Sequence, residues 1–519
     1  MSCQHQLKAW PSLCLVGLSL VASLHGADWP QLQCDAAKSG FQPTERIVTS
    51  RHSNSTPTGG FGLENWAWTN GALAGQPVVA EGLVVIGSVT NRVFALDEMT
   101  GVVHWSADVG GAVINTCAIA NGKVIVGTQA GKVRALAVSN GVTVWTYSGA
   151  TKGFAAAPTV ANGRVFIGSQ DGRFCALDLA TGQAAWVFQV GGTNDAGVMR
   201  TPILCSAAVM SNRVCFGAEN LQAYALDAQT GAVLWRRQLR GQSFRMAEGV
   251  ASAGESGGVS FGAGWAVASR QGGGTVIFRT QPIYSFHAGL NADESFIESF
   301  TGTNWVGNPL GDTNAWIIEQ RAISQRLRDN PYRRSLWELN VSTGMDRFTE
   351  PLPVLYTSGT GNTPAPPVVD DAGNRAWATL RSVYARFDGM GVRAYGELAK
   401  LNLAFDPAIY TNAALDALGF SYFPCGGTSN CKVAYEDFHK IADEGEVLTG
   451  CQNAILSSTW ASDGGVDTET GLTFNVRVYG SDDSGNSLLN GAGVGVVVAN
   501  GRVIIRDSNG IRSYVMPSP

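Results

Sequence analysis

The chain has 519 residues, of which 45% are hydrophobic and 15% are charged, with a net charge of −5 and a pI near 5.8. This composition can supply a large core, but its acidic balance argues against a protein that binds nucleic acid through a basic surface. The densest basic stretch, Arg326–Arg334, is therefore interpreted as the solvated end of a helix.

The first 27 residues are predicted to be an export signal. Lys8 precedes the apolar run Leu13–Leu24, which is too short to span a bilayer, and cleavage is expected near Ala27. Neither Cys14 nor Cys34 follows a convincing lipidation motif, so we do not expect a lipoprotein. No later apolar run is long enough to span a bilayer, so the mature chain should lack a transmembrane segment.

Internal repetition is the strongest signal in the chain. The pattern Ala-Leu-Asp-x-x-Thr-Gly-x-x-x-Trp begins at Ala95, Ala176 and Ala225, and weaker copies begin at Ala135 and Leu339. The repeat tryptophans are assigned to positions 68, 105, 145, 186 and 235, which makes the period about 40 residues.

A second shared element lies upstream of each copy. Asn-Gly stands between two β-branched runs in the segments 118–127, 159–168 and 497–505, and Glu-Gly takes its place in 78–87. Asn-Gly is the strongest short signal for a β-hairpin, because a type I′ turn needs positive φ at both central residues. With two further strands, each unit predicts a four-stranded propeller blade. The repeated Asp and Thr are expected to cap turns, and the repeated Trp is expected to pack between blades.

These motifs resemble the pyrroloquinoline-quinone-like (PQQ-like) propeller repeat over residues 68–235, and again near 337–400 and 493–515. The opening Asp28-Trp29-Pro30-Gln31, followed by Ser39-Gly40, resembles the start of exported bacterial members of this group. The resemblance implies an all-β propeller of blades that serve enzymes and scaffolds alike.

A single propeller domain is predicted over residues 66–519, after a lead-in over 28–65. We expect seven or eight four-stranded blades, with the ring closed by pairing of the N-terminal strand with the C-terminal blade. That closure places Trp68 close to residues 510–515. The first four blades are assigned to 75–105, 115–145, 157–186 and 201–235. A fifth is expected from Glu248, resuming at Leu336–Phe348, a sixth over Ala365–Leu401, and the closing one over 493–515.

Two insertions with small helices are predicted, at about 275–333 and 403–450. The helical patterns are Thr313–Leu327 in the first insertion, and Asn412–Leu418 and Ala434–Ala442 in the second. Insertions on repeat scaffolds often form the binding face, so an individual function is expected here, although decorative loops are the alternative.

The cysteines indicate burial rather than metal binding. Those within strand patterns, Cys117, Cys175, Cys205 and Cys215, are expected to be small buried hydrophobic residues. One disulfide is possible among Cys34, Cys425, Cys431 and Cys451, with the pairing left open. No C-x-x-C pair is present, so neither a zinc ribbon nor c-type haem is indicated.

No catalytic or metal-binding set can be assigned from the sequence, and cofactor-binding residues stay unknown. Glu436, Asp437 and His439 form an acid–histidine cluster that fits a solvated helix face, and His104 is expected at the surface or between blades. The resemblance includes quinone-dependent dehydrogenases, and these enzymes use a pair of adjacent cysteines and a calcium ion. No two cysteines are adjacent in this sequence.

Two functions follow from these observations. The first is a non-catalytic exported propeller, periplasmic or extracellular, that acts as a monomeric binding or scaffold module for a protein or glycan and needs no cofactor. The second is a PQQ- and calcium-dependent or other oxidoreductase with its site at the central mouth of the propeller. The sequence favours the first.

Overall fold

The structure is a computed structural model of the chain. It describes residues 27–46, 63–191, 202–239 apart from 219 and 221, 265–270, 274–280, 336–347, 367–381, 386–387, 392–393, 396–402, 435–441, 447–458 apart from 453, 462–467, 473–478, 495–507 and 510–515. The predicted export signal, apart from Ala27, and the helical patterns at 313–327 and 412–418 lie outside these residues.

The strands of the N-terminal half follow the predicted repeat. In chain order they are β1 (Phe41–Gln42), β2 (Leu63–Thr69), β3 (Leu73–Ala80), β4 (Leu83–Ser88), β5 (Arg92–Asp97), β6 (Val103–Asp108), β7 (Ala118–Ala120), β8 (Lys123–Gly127), β9 (Val133–Ala137), β10 (Thr143–Tyr147), β11 (Thr159–Ala161), β12 (Arg164–Gly168), β13 (Arg173–Asp178), β14 (Ala184–Gln189), β15 (Ala208–Met210), β16 (Arg213–Gly217), β17 (Gln222–Asp227) and β18 (Val233–Gln238).

The strands of the C-terminal half are spaced less evenly. They are β19 (Trp265–Arg270), β20 (Thr275–Thr280), β21 (Leu336–Asn340), β22 (Val368–Asp370), β23 (Arg375–Arg381), β24 (Arg386–Phe387), β25 (Val392–Arg393), β26 (Gly396–Asn402), β27 (Tyr435–Ile441), β28 (Val447–Cys451), β29 (Ala454–Ser458), β30 (Ser462–Asp467), β31 (Thr473–Val478), β32 (Gly495–Ala499), β33 (Arg502–Asp507) and β34 (Gly510–Val515).

Six sheets of the described residues have four strands: β3–β6, β7–β10, β11–β14, β15–β18, β22-β23-β26-β27 and β2-β34-β33-β32. A further sheet, β19–β21, has three strands, while β1 joins β28–β31 in a sheet of five, and β24 pairs with β25. The all-β propeller prediction is confirmed. The prediction of seven or eight four-stranded blades is not supported, because the described part of the chain contains six four-stranded sheets.

The prediction of a helix at 434–442 is wrong. Strand β27 occupies this segment and pairs antiparallel with β26, so that Glu436 lies opposite Lys400 and His439 lies opposite Leu398. The backbone groups of the segment are bonded across the sheet rather than along a helix. The helical spacing that grouped Glu436 with His439 therefore does not apply. Strand β20 likewise occupies the start of the first predicted insertion, and no described residue is helical.

The Asn-Gly turns have the backbone that a tight hairpin requires. Asn121 and Gly122 have φ of 49° and 68°, and Asn162 and Gly163 have 51° and 71°. Asparagine and glycine tolerate this left-handed region better than other residues, which fixes the hairpin register. The second strands that follow the turns are buried almost throughout, because sheets cover them on both faces.

Each Asp-x-x-Thr-Gly turn is capped by its own aspartate. Asp97 Oδ1 accepts hydrogen bonds from the backbone N–H groups of Met99 and Thr100 and from the Thr100 hydroxyl, and Asp178 and Asp227 repeat the pattern. The Thr100 hydroxyl is the main cause of the lowered pKa of Asp97. The predicted capping role is confirmed at all three turns.

The repeat tryptophans join neighbouring sheets, as predicted. The indole N–H groups of Trp105, Trp145, Trp186 and Trp235 donate to backbone carbonyls of the following sheet, at 2.6–3.1 Å. The first member of the series is Trp66, which donates to Glu98 O at 2.9 Å, and not Trp68. Trp68 instead contacts Phe94, with ring centroids 5.0 Å apart.

The two ends of the chain meet in one sheet. Strand β2 pairs antiparallel with β34, and Trp68 lies opposite Ile511, as the sequence predicted. In that sheet β2 is the outer strand and β32 the strand at the opposite edge. The first strand of the chain's regular repeat, β3, contacts β32.

Candidate functional site

The lead-in, defined here as residues 27–46, lies across the first strands of successive sheets. Trp29 exchanges two backbone hydrogen bonds with Val79 of β3, at 2.7 and 2.8 Å. Further along, Pro30 O accepts from Ile119 N of β7, and Ala36 O accepts from Val209 N of β15, both at 2.7 Å. The lead-in thereby touches one sheet after another in chain order.

The second half of the lead-in continues the same path. Ser39 O accepts from Val369 N of β22 at 2.7 Å, and Gly40 O accepts from Gly450 N of β28 at 2.8 Å. Phe41–Gln42 then pairs with β28 as the parallel strand β1. The contacted residues lie within or near the ends of their strands, so the lead-in spans one end of this set of first strands.

Gln31 fills the place of a strand backbone beside β11. Its side-chain oxygen accepts from Val160 N at 3.0 Å, and its Nε2 donates to Val160 O at 3.4 Å. A primary amide has the same donor and acceptor as a peptide group, so Gln31 satisfies both backbone groups of Val160. Six first strands, β3, β7, β11, β15, β22 and β28, are therefore bonded to the lead-in.

Trp29 and Gln76 anchor the start of the lead-in. Trp29 is fully buried, and its indole Nε1 donates to Gln76 Oε1 at 3.2 Å. The same oxygen accepts from Gln33 N at 3.1 Å, while Gln76 Nε2 donates to Val496 O of β32 at 2.9 Å. One buried glutamine of β3 thus connects the lead-in with the C-terminal sheet.

A turn inside the lead-in buries a charged cluster. Lys38 is 1% exposed, and its Nζ donates to Leu32 O at 3.2 Å. Burial lowers the pKa of Lys38 to about 7, and the nearby Asp35 opposes this shift. The Asp35 carboxylate accepts from Ser39 N and Ser39 Oγ, at 3.0 and 2.6 Å. Burial also raises the pKa of Cys34, so that thiol stays protonated near neutral pH.

The lead-in has the polar composition of a surface loop but the burial of a core. Gln31, Gln33, Lys38, Gln42 and Glu45 are all buried. The lead-in hydrogen-bonds to backbone groups of several separate sheets and so fixes the positions of those sheets relative to one another. The described residues contain no group of three metal-ligating side chains that could hold an ion.

A family model described as outer membrane protein assembly factor BamB matches residues 51–153 and 149–281. The quinohemoprotein alcohol dehydrogenase of Comamonas testosteroni superposes with a TM-score of 0.52 at 13% identity, covering 95% of this chain and 82% of that one. Together, the two matches support a PQQ-like β-propeller repeat in this chain.

One further solved structure, a second dehydrogenase, agrees with this propeller at the level of fold. A europium-containing methanol dehydrogenase has a TM-score of 0.52 at 13% identity, with coverage of 92% of this chain and 89% of that chain. BamB from Moraxella catarrhalis has a TM-score of 0.45 at 14% identity, with coverage of 92% and 96%. No curated protein sequence matches the chain.

The predicted site features of the PQQ-like propeller fall into three groups. The insertion cysteines Cys425 and Cys431 lie outside the described residues, and Glu436, Asp437 and His439 lie on β27. His104 is exposed, and its Nε2 lies 3.2 Å from Ser139 O of the next sheet, as expected. The predicted buried cysteines, Cys117, Cys175, Cys205 and Cys215, are buried.

Sequence reasoning missed the role of the lead-in, which it placed before the domain rather than within it. One sequence feature could have revealed this role: the large hydrophobic residues Trp29 and Phe41 lie at the two ends of a stretch that contains several glutamines. Within the described residues, no helix meets the length and hydropathy needed to cross a membrane.

Proposed function

We propose that this propeller is an exported, non-catalytic binding or scaffold module of the cell envelope, with a protein or glycan partner. The observation that carries the proposal is the lead-in, which is bonded to six first strands. A segment bonded to this many strands has a structural role at its end of the propeller. The description of the matching family as an outer membrane assembly factor favours an envelope location and a protein partner for a monomeric chain.

The first strands provide the frame for this proposal. Contacts link β3 to β7, β7 to β11, β11 to β15, β15 to β19, β19 to β22, β22 to β28, β28 to β32 and β32 to β3. We infer that these strands surround a central channel, that pairing of β2 with β34 completes the ring, and that the lead-in covers one end of the channel. Only the other end then stays open to solvent.

The outer strands of the regular sheets supply a surface for a protein partner. Strands β6, β10, β14 and β18 are edge strands, and each carries an exposed valine. Those valines are Val103, Val144, Val187 and Val233, at 39–49% exposure. An edge strand with exposed apolar groups can bind an extended segment of a partner as an additional strand.

The experiment combines cell fractionation with photo-cross-linking of the full chain from Val144 in living cells. We expect the chain in the exported fraction and a recurrent protein cross-link, which Val142→Asp, two residues before the cross-linker and 61% exposed, weakens and the exposed control Gln183→Asp does not. A chain that stays in the cytoplasm, or a cross-link unaffected by either substitution, would contradict the proposal.

An oxidoreductase at the open end of the channel is the second candidate. The observation that favours it is the likeness in fold to two dehydrogenases, a quinohemoprotein alcohol dehydrogenase and a europium-containing methanol dehydrogenase. Titration of the purified chain with PQQ and calcium separates the two functions, because a bound cofactor raises Tm. An unchanged Tm and absorption spectrum at saturating PQQ favour the scaffold; a rise in Tm with a spectral change favours the dehydrogenase.

A further inference from the structure

Glu45 is a buried carboxylate that faces the start of the lead-in. It is 6% exposed, and its Oε1 accepts from Ala27 N at 3.2 Å. Its Oε2 accepts from Gly501 N, in the turn between β32 and β33, at 3.1 Å. Both donors are backbone N–H groups, which carry only partial charge. A buried carboxylate is stabilised more strongly by a cation, because a charge-assisted hydrogen bond is about twice as strong as a neutral one.

The backbone of Ala27 is held in place from several sides. Gln42 Nε2 donates to Ala27 O at 3.3 Å and to Asp28 O at 3.0 Å. Asn500 Nδ2 donates to Asp28 Oδ1 at 3.1 Å. The nitrogen of Ala27 is therefore positioned against Glu45 by groups on the lead-in and on the C-terminal sheet.

The chain immediately before Ala27 has the features of a removable leader. The apolar run Leu13–Leu24 ends three residues before it, and the small Gly26 stands directly before the bond, as at an A-x-A-like site, although Leu24 at the third position is large. We propose that the peptide bond between Gly26 and Ala27 is the processing site, and that Glu45 binds the α-ammonium group that cleavage creates. This proposal rests on the export proposed above, and it moves the cleavage one residue earlier than the sequence alone predicted.

The chemistry is hydrolysis by a signal peptidase of the host. Water adds across the Gly26–Ala27 amide, so that Gly26 leaves with a carboxylate and Ala27 retains the nitrogen as an ammonium group. The neutral N–H donor to Glu45 thereby becomes a charged donor at the same position. Cleavage would stabilise the folded propeller only after the lead-in has reached its place across the sheets.

The surrounding charges set the sign of the pH dependence. Asp28 and Glu98 both bond to Asn500, which precedes the Gly501 that donates to Glu45, and Arg46 and Arg502 are the charged sequence neighbours of Glu45 and Gly501. Carboxylates favour the ammonium form. The stabilisation should thus be complete at neutral pH and should disappear as pH rises past the titration range of the amine, which is about 8 when unperturbed.

The first test is the mass of the exported protein. The full chain is expressed in a Gram-negative host, purified from the periplasm, and its first residue is identified by mass spectrometry. We expect Ala27. An exported chain that begins at Asp28 or later overturns the inference and leaves the proposed export intact, whereas a cytoplasmic chain that retains its leader contradicts the export itself.

The second test compares Glu45→Gln with the matched control Glu64→Gln, whose glutamate pairs with Arg512 at the surface. At pH 7 we expect E45Q to raise the unfolding equilibrium constant about tenfold and E64Q to change it little. At pH 10 the E45Q effect should shrink to the part that comes from the hydrogen bond of Gly501 N to Glu45. An E45Q effect that is equal at both pH values overturns the inference.

A third measurement avoids any substitution. The α-amine of the exported protein is acylated with a succinimidyl ester at pH 8, and the rate is followed by mass spectrometry. We expect the folded chain to react at least tenfold more slowly than the urea-unfolded chain. Equal rates overturn the role assigned to Glu45.

Discussion

The indole ring of Trp66 lies against Gly101 of the neighbouring sheet, so that a β-carbon at position 101 would come within 2.5 Å of two ring atoms. The same contact recurs between Trp105 and Gly141 and between Trp145 and Gly182. Each of these glycines also has a positive φ. The glycine of each repeat therefore packs against the tryptophan of the preceding repeat, and the two residues form one contact between sheets.

Gly101→Ala should destabilise the propeller by about 2–4 kcal/mol, since it adds an overpacking cost to the cost of a positive φ. Gly122→Ala is the matched control, because Gly122 has φ of 68° but no atom within 4 Å of an added β-carbon. It should cost only about 1 kcal/mol. Urea unfolding of both variants measures the difference; equal losses would show that the Trp66 contact contributes nothing.

The repeat could be predicted because each of its residues acts within its own unit or on the next one. Asp97 bonds to Thr100, three residues further along the chain, and Trp105 reaches the next sheet, so a period of about 40 residues reveals both. The assignment was wrong at one end, where Trp68 was chosen although Trp66 makes the contact. The two residues share a face of the strand, but Trp66 lies 39 residues before Trp105 and Trp68 lies 37, so the period of about 40 favours Trp66.

The lead-in could not be predicted in the same way, because each of its contacts occurs once. Gln31 bonds to Val160 across 129 residues of sequence, and no periodic signal reports such a pair. Strand β27 was missed for a different reason. Its residues Tyr435–Ile441 mix charged and apolar side chains in an order that fits a short helix, and pairing with β26 decides the outcome.

Gln31→Ala should destabilise the fold by about 1–3 kcal/mol, because it leaves the N–H and carbonyl groups of Val160 without their partner. The exposed Gln183→Ala is the control and should stay within about 0.5 kcal/mol of the parent. Chemical denaturation followed by tryptophan fluorescence gives both values. A loss at Gln31 no larger than at Gln183 would mean that the lead-in does not fasten β11.

Removal of the indole N–H at Trp235 should cost about 1 kcal/mol, because Trp235 donates to Val341 O at 2.7 Å between the fourth and fifth repeats. The variant is Trp235→Phe. Trp68→Phe is the control, because it makes the same replacement at a tryptophan whose ring packs against Phe94. Thermal unfolding should show a larger decrease in Tm for W235F. The opposite order would contradict the role of the indole hydrogen bond.

Lys38 should make stability rise with pH between about 7 and 10. Burial lowers its pKa to about 7 in the folded chain, against about 10.4 when unfolded, so the unfolded chain binds more protons across this window. Lys38→Met should remove this rise, which we place on the order of 2 kcal/mol. Unfolding at pH 7 and pH 9.5 measures it, with the exposed Lys152→Met as control. A parallel pH profile for K38M and the parent would show that Lys38 is not desolvated.

A disulfide engineered between β2 and β34 tests whether the two ends of the chain stay paired. Ala67 lies directly opposite Arg512 in the register of these antiparallel strands, and directly opposed residues have the Cα separation that a disulfide needs. The double variant Ala67→Cys with Arg512→Cys should cross-link under mild oxidation and raise Tm, since it closes a loop of several hundred residues in the unfolded chain. Each single variant is a control and should remain reduced at these positions. If the double variant does not cross-link while it remains folded, β2 does not complete the sheet of β32–β34 in solution.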